Sequence, residues 1–171
     1  MRNLLATITY SALLVLTTAP AASAQPASAQ TEYTRIHMEI DVSRSAEAVW
    51  AKVGDYCAIS EWLNLSCEIT SGDGGIGTVR LLADRIVEIM VAQTELSYGY
   101  TQPAVQGEFY NLYHGFMEAR AVDANNSKLI YTLVYDPSNL ADDAAREADI
   151  ERRRNTFQRA LANMKALAEA G

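Results

Sequence analysis

The segment 142–168 restricts what this chain can fold into more than any other stretch. Ile150, Phe157, Leu161, Met164 and Ala168 recur at steps of seven, four, three and four, which is the spacing of one apolar stripe on an α-helix. Arg152, Arg153, Asn155, Arg159 and Lys165 are assigned to the opposite face. Asp142, Asp143 and Glu147 occupy the first turns, so acid at the start and base towards the end suit the helix dipole. No Gly or Pro interrupts the run before Gly171, and Pro137 stops whatever precedes it. A helix of roughly 26 residues is about 40 Å long. A stripe of that length has to be covered by something broad. The residues before it read mainly as strands, so the economical architecture is α+β, a curved antiparallel sheet gripping this helix.

Residues 35–42 alternate, with Ile36, Met38, Ile40 and Val42 on one face and Arg35, His37, Glu39 and Asp41 on the other, as in a half-buried strand. His37 then reads as a solvated surface histidine. Ser43 or Ser45 can cap the next helix, with Glu47 placed for a capping interaction, and Ala46, Val49, Trp50 and Val53 mark its buried side. Residues 55–65 read as a second short helix and its exit, holding Tyr56, Ile59, Trp62 and Leu63. Strands are expected at 65–70, 78–82, 86–93, 95–101, 109–122 and 128–136. Ser71-Gly72-Asp73-Gly74-Gly75 is a turn; no lysine follows it and a strand comes next, so it is not a phosphate-binding loop. A loop with Pro103 and Gly107 fills 102–107, and a turn fills 123–127. The order is therefore β-α-α-β-β-β-β-β-β-α. In 109–122, Tyr113, Gly115, Met117 and Ala119 should face the helix, which leaves His114, Glu118 and Arg120 as a charged outer face. In 128–136, Leu129, Tyr131, Leu133 and Tyr135 share the inward face, opposite Ile130 and Val134.

Met1-Arg2-Asn3 supplies one positive charge, residues 4–22 are apolar or small, and Ala22-Ser23-Ala24 makes an A-x-A site before Gln25. This is the three-part layout of a secretory signal peptide, 1–24. Ala27-Ser28-Ala29 offers a second cut, after Ala29. A retained anchor is the competing reading, but Thr7, Thr9, Ser11, Thr17 and Pro20 interrupt the run and favour cleavage, with no stable membrane insertion afterwards. Residues 25–34 follow as a flexible leader and 35–170 as one domain, in a periplasmic or secreted protein. Cleavage after Ala24 leaves 147 residues, enough for a core and a cavity, and removes one charged residue, taking the formal charge from −7 to −8. That sign argues against a nucleic-acid partner and against docking on anionic lipid. The only cysteines, Cys57 and Cys67, are an even pair in an exported chain, which favours a disulfide over two free buried thiols. Their C-x9-C spacing is no zinc framework, with only His37 and His114 as nitrogen ligands, so neither metal nor cofactor is expected.

A series of motifs carries a family resemblance. Ile40-Asp41-Val42 leads into Ser45-Ala46-Glu47-Ala48-Val49-Trp50, then Gly54-Asp55-Tyr56-Cys57-Ala58-Ile59 and Trp62. Gly77-Thr78-Val79-Arg80, Val87-Glu88, Tyr98-Gly99-Tyr100, Tyr113 and the long terminal helix follow. In order and spacing this resembles the START-like superfamily, also called Bet v 1-like or SRPBCC, and within it the polyketide cyclase/dehydrase branch, over about residues 35–168. The resemblance implies a helix-grip fold. A curved sheet of about seven strands would wrap around the long C-terminal helix, with two short helices after the first strand and an apolar cavity between. One departure stands out: Trp62 is followed by Leu63-Asn64, where exported members tend to carry His-Pro, so no chemistry is borrowed from a histidine there.

Under this resemblance the ligand-facing residues are Trp62, Arg80, Glu88, Tyr98, Tyr100, Tyr113, Met117, Tyr131, Phe157 and Leu161. Glu88 stands out on chemistry alone, because it is flanked by Ile86, Val87, Ile89 and Met90, and a carboxylate among such neighbours is costly unless paired. Arg80 is its natural partner. The pair either only sets sheet register or polarises a ligand. A desolvated Glu88 would have a raised pKa and suit acid–base work. Six of the eight tyrosines after residue 24 lie between 98 and 135, namely Tyr98, Tyr100, Tyr110, Tyr113, Tyr131 and Tyr135. A phenol joins an apolar body to one polar handle, which suits a pocket for aromatic ligands, although tyrosine also simply favours strands. Three functions remain open. The first is a binder of a hydrophobic (aromatic, polyketide-like or lipid) small molecule. The second is a cofactor-independent cyclase, dehydratase or lyase with Glu88 and Tyr113 as its acid–base groups. The third is a protein-interaction module with a filled core.

Overall fold

The computed structural model describes residues 32–103 and 112–170. The expected signal peptide, most of the leader, Tyr110 and the first part of strand 109–122 lie outside the described residues. The elements are β1 (Thr34–Val42), α1 (Ala46–Val53), α2 (Ile59–Leu63), β2 (Cys67–Ser71), β3 (Val79–Leu82), β4 (Ile86–Thr94), β5 (Ser97–Thr101), β6 (Tyr113–Ala121), β7 (Ser127–Tyr135) and α3 (Asp143–Glu169). This is the expected order.

Seven strands form one antiparallel sheet in the order β1-β7-β6-β5-β4-β3-β2, so the first strand closes against the last and β2 forms the far edge. Consecutive hairpins build the rest. The β3–β4 hairpin turns on Ala83 and Asp84, both at positive φ (48° and 56°). Register shifts between Met90 and Ala92 in β4, and between Ile69 and Ser71 in β2, are bulges of the kind that bend a sheet. The strand faces follow the alternation in the sequence. Ile36, Met38 and Val42 of β1, Tyr113, Met117 and Ala119 of β6, and Leu129, Tyr131, Leu133 and Tyr135 of β7 are buried. His37 is exposed and shares a 2.9 Å hydrogen bond with Thr132 Oγ1, and Arg120 and Glu118 pair on the outer face.

Helix α3 packs against β1, β7, α1 and α2, which makes this a helix-grip fold. Asp142 caps it, accepting from the Ala145 amide at 2.8 Å. Ser45 caps α1 by accepting from the Ala48 amide. The apolar stripe is buried at Phe157, Leu161, Met164 and Ala168, with Ala160 beside it. Its first half differs from expectation. Asp149 is buried while Ile150 is only partly so, and Arg153, assigned above to the solvent face, turns inward with its side chain 12% exposed. The positions 149, 153, 157, 161, 164 and 168 form one continuous stripe. Its N-terminal part is polar because it meets tyrosines rather than aliphatic side chains. The last turn holds no base: Glu169 accepts from the Ser43 amide at 2.8 Å, and Lys165 donates to the Asp41 carbonyl, fastening the helix end to the β1–α1 junction. Cys57 and Cys67 are joined by a disulfide. Among the described residues no helix is long and apolar enough to cross a membrane.

Candidate functional site

The concave face of the sheet and the inward face of α3 bring most of the expected residues into one buried, aromatic interior. Its polar centre is cross-strand. Arg80 of β3 and Glu88 of β4 are register partners, so their side chains rise from directly opposed positions on the same face. Arg80 is 0% and Glu88 3% exposed. Arg80 Nε and Nη2 donate to Glu88 Oε2 at 2.9 and 2.5 Å, and Nη1 donates to the Tyr56 carbonyl. The other oxygen, Oε1, accepts from Gln102 Nε2 at 3.0 Å. The carboxylate thus holds three donors, and the ion pair is closed on itself. Breaking such a pair from one side typically costs about 3–5 kcal/mol, because a buried charge is left alone.

Aromatic rings wall this centre. Arg80 Cζ lies 4.0 Å from the Tyr56 ring centroid, 5.2 Å from that of Tyr100 and 5.7 Å from that of Tyr98. Burial opposes the charge on Arg80, but Tyr98 and Glu88 outweigh it, and the guanidinium pKa is pushed up. Tyr100 and Tyr131 share a 2.8 Å hydroxyl–hydroxyl hydrogen bond. From there a ladder of tilted rings runs Tyr98–Tyr100–Tyr113–Tyr135, with centroids 6.0 to 6.5 Å apart. Tyr131 also packs on Phe157 of α3 at 4.5 Å and meets Trp62 of α2 edge-on at 6.3 Å. The Tyr98 hydroxyl points to Met117 Sδ at 3.9 Å, and Leu161 completes the wall from the helix. Burial raises the pKa of Tyr98, Tyr100, Tyr113 and Tyr131, so these phenols stay neutral and hydrogen-bonding at ordinary pH.

A second guanidinium closes the far end of the ladder. Arg153 Cζ sits 5.0 Å from the Tyr113 centroid and 4.9 Å from that of Tyr135, within cation–π reach of both. Its Nη1 donates to the Tyr113 hydroxyl at 3.3 Å and its Nε to Asp149 Oδ2 at 2.9 Å. Burial brings the Arg153 pKa down to about 10. Asp149 also accepts from Arg152, which is more exposed.

Four residues that sequence reasoning did not single out complete the arrangement. Tyr56 stacks on Arg80, Gln102 braces Glu88, Arg153 closes the ladder, and Gly115 opposes Tyr100 across the β5–β6 pair. A Cβ on Gly115 would run into the Tyr100 ring, so the glycine is the seat on which that ring lies. A lone glycine inside a strand was the available signal. Outside the interior, a cleft of about 330 Å³ opens between α2 and α3, lined by Trp62, Leu63, Thr156, Arg159, Ala160, Ala162 and Asn163.

Residues 33–169 match the sequence profile of the family described as polyketide cyclase/dehydrase and lipid transport. The chain belongs to that family. No curated protein matches the chain significantly by sequence. Solved structures similar in fold include the Zhui aromatase/cyclase of a Streptomyces species, at 18% identity and TM-score 0.66, with 81% of this chain and 94% of that one covered. A protein from Nitrosospira multiformis is similar at 21% identity and TM-score 0.64, covering 78% and 94%. Ara h 8.0201 is similar at 20% identity and TM-score 0.59, covering 82% and 100%. At these identities the likeness is one of fold. The polyketide cyclase/dehydrase and lipid transport family is thus represented here by a sheet whose grip on α3 is filled with phenols around a buried ion pair.

Proposed function

We propose that this is an exported, single-domain protein that binds a hydrophobic small molecule, aromatic, polyketide-like or lipid, between the sheet and α3. The observation that carries this reading is the Arg80–Glu88 pair set within a wall of tyrosines. A largely apolar lining with a few convergent polar groups is the composition of ligand pockets, where area supplies affinity and the polar groups fix orientation. Family membership supports the same reading, as does the burial of Trp62, Met117, Phe157 and Leu161 in this interior. Export draws support from the disulfide, which fits an oxidising location, and from the layout of residues 1–24.

The alternative is a cofactor-independent cyclase or dehydratase with Glu88 as acid–base group and Tyr113 as partner. It has in its favour that Glu88 is a buried carboxylate among phenols, and against it that Arg80 and Gln102 already occupy both carboxylate oxygens. Glu88→Gln separates the two. The variant is first shown by thermal unfolding to remain folded, because the buried Arg80 charge loses its partner. A binder then keeps its affinity nearly intact or changes it modestly, whereas an enzyme using this acid loses roughly 10²–10⁴-fold in turnover.

Native mass spectrometry of protein purified from its own host tests the reading directly. The expected result is an added small mass that leaves on mild denaturation and is chemically unchanged on re-incubation. A bound molecule converted to product would move the assignment to the enzyme. An empty protein, unstabilised by any of a panel of aromatic and lipid ligands, would overturn both in favour of a filled-core interaction module. The N-terminal mass fixes where the leader is cut.

A further inference from the structure

Tyr56 makes two of the contacts that hold Arg80, one through its carbonyl and one through its ring, and Cys57 is the next residue in the chain. The Tyr56 hydroxyl is buried without a hydrogen-bond partner, so it does not anchor the residue from its far end. Apart from the Tyr56 carbonyl, the polar contacts of residues 55–60 are internal, and the Tyr56 ring itself meets Tyr98 of the sheet edge-on at 5.3 Å. Asp55 Oδ1 accepts from the Cys57 amide at 2.8 Å, the Ala58 amide donates to the Asp55 carbonyl, and Ser60 donates twice to the Cys57 carbonyl. The covalent tie from this loop to the sheet is the bond to Cys67. Cys67 opens β2 opposite Leu82, and Leu82 lies two residues along β3 from Arg80, on the same face. Beyond Cys67 the edge strand β2 is exposed and buries little apolar surface of its own.

We propose that Cys57 and Cys67 are positioning residues of the ligand site: their disulfide holds Tyr56 against Arg80, so ligand affinity depends on the bridge being closed. The inference rests on the reading above only in taking the Arg80 cluster as part of that site. Both cysteines are half-buried and open to a small dithiol. Its thiolate attacks one sulfur to give a mixed disulfide and releases the other cysteine. Its second thiolate then attacks the reagent's own sulfur in the mixed disulfide and expels the remaining protein cysteine, so two electrons and two protons pass to Cys57 and Cys67 and the dithiol is oxidised to its own disulfide. With the bridge open, only packing, such as the edge-on contact of Tyr56 with Tyr98 at 5.3 Å, holds the α1–α2 loop to the sheet, so the Tyr56 grip on Arg80 loosens while Arg80 keeps Glu88. Such a protein binds its ligand weakly while the chain is in a reducing compartment and fully once it is in an oxidising one.

The test needs no knowledge of the natural ligand. Protein labelled with ¹⁵N-arginine is compared by NMR before and after treatment with dithiothreitol, with Arg80 assigned from Arg80→Lys and reduction verified by mass. The expected result is that the Arg80 Nη signals, separate in the oxidised protein, shift and merge on reduction, while the Nε–H bonded to Glu88 persists. In parallel, affinity for the fluorescent anion 1-anilinonaphthalene-8-sulfonate should fall about tenfold on reduction, the size of one lost hydrogen bond to a charged group. No further fall should follow reduction in the Arg80→Lys protein, whereas a merely structural bridge would weaken both proteins alike. Unchanged Arg80 signals in a folded, reduced chain would overturn the proposal. Global unfolding on reduction would also overturn it, because the bridge would then hold the fold and not Arg80 in particular. If the Arg80 signals move while dye binding stays constant, Arg80 is positioned by the bridge and it is the ligand reading of the cluster that fails.

Discussion

Two glycines show how single atoms set the interior. Gly115 of β6 and Gly99 of β5 lie in the same strand pair, and each leaves room for an aromatic ring, Tyr100 on the inner face and Phe116 on the outer. Tyr100 is 1% exposed, hydrogen-bonded to Tyr131 and stacked between Tyr98 and Tyr113, so it has nowhere to go. Phe116 is 42% exposed and can turn aside. Gly115→Ala should therefore destabilise the protein by about 3 kcal/mol and break the hydroxyl pair, while Gly99→Ala costs less than half as much. Thermal unfolding of the two variants checks this, and equal losses would refute the idea that Gly115 seats the ring. Of the site itself, the Arg80–Glu88 pair was legible in the sequence because a carboxylate in an apolar strand demands a partner. Tyr56 was not, because its contribution to Arg80 runs partly through a backbone carbonyl, which every residue possesses.

Among the elements, α3 was readable from its apolar spacing from Phe157 onwards and misread before it. An inward Asp149–Arg153 step looks in sequence like any i, i+4 surface pair. Burial of that pair becomes sensible only when Tyr113 and Tyr135 stand opposite to receive the guanidinium. The β3–β4 hairpin shows a different kind of conflict. Ala83 adopts φ 48°, a left-handed conformation that disfavours a residue with a Cβ and no local polar group. Asparagine tolerates this conformation and is favoured at such turn positions. Ala83→Asn is expected to stabilise the chain by about 0.5–1 kcal/mol, read as a higher midpoint in urea; a lower midpoint would show that the turn carries no such cost.

For the molecule as a whole, the concentration of buried phenols makes alkaline pH the vulnerable side. Burial pushes up Tyr56, Tyr98, Tyr100, Tyr113, Tyr131 and Tyr135 from the ordinary value of 10. Above that pH the unfolded chain has released these protons and the native chain has not. Stability is therefore intact below pH 10 and falls as pH rises beyond it, by up to about 1.4 kcal/mol per pH unit for each phenol. Arg153, brought down to about 10, acts in the opposite direction, because the native chain sheds that proton first, but it is one group against six. Against a typical total of about 5–15 kcal/mol, unfolding should be complete within one or two units above pH 10. Phenolate absorbance and helical circular dichroism should then change together in one cooperative step. Gradual phenolate formation in a chain that keeps its helices would show the tyrosines to be accessible.

The periodicities of the chain were enough for a curved antiparallel sheet gripping a long helix, because burying a long one-sided helix against alternating strands leaves few arrangements, and the family resemblance implied the seven-stranded helix-grip form. They also assigned the inward faces of β1, β6 and β7, since a strand has only two faces and the apolar one must be dry. Which inward groups touch was beyond them. That Tyr100 bonds to Tyr131, that Arg153 closes a ladder begun by Arg80, and that Cys57 ties Tyr56 to the sheet depend on cross-strand register and on a loop reaching over an edge. These are contacts between residues far apart in the chain, which no local spacing encodes.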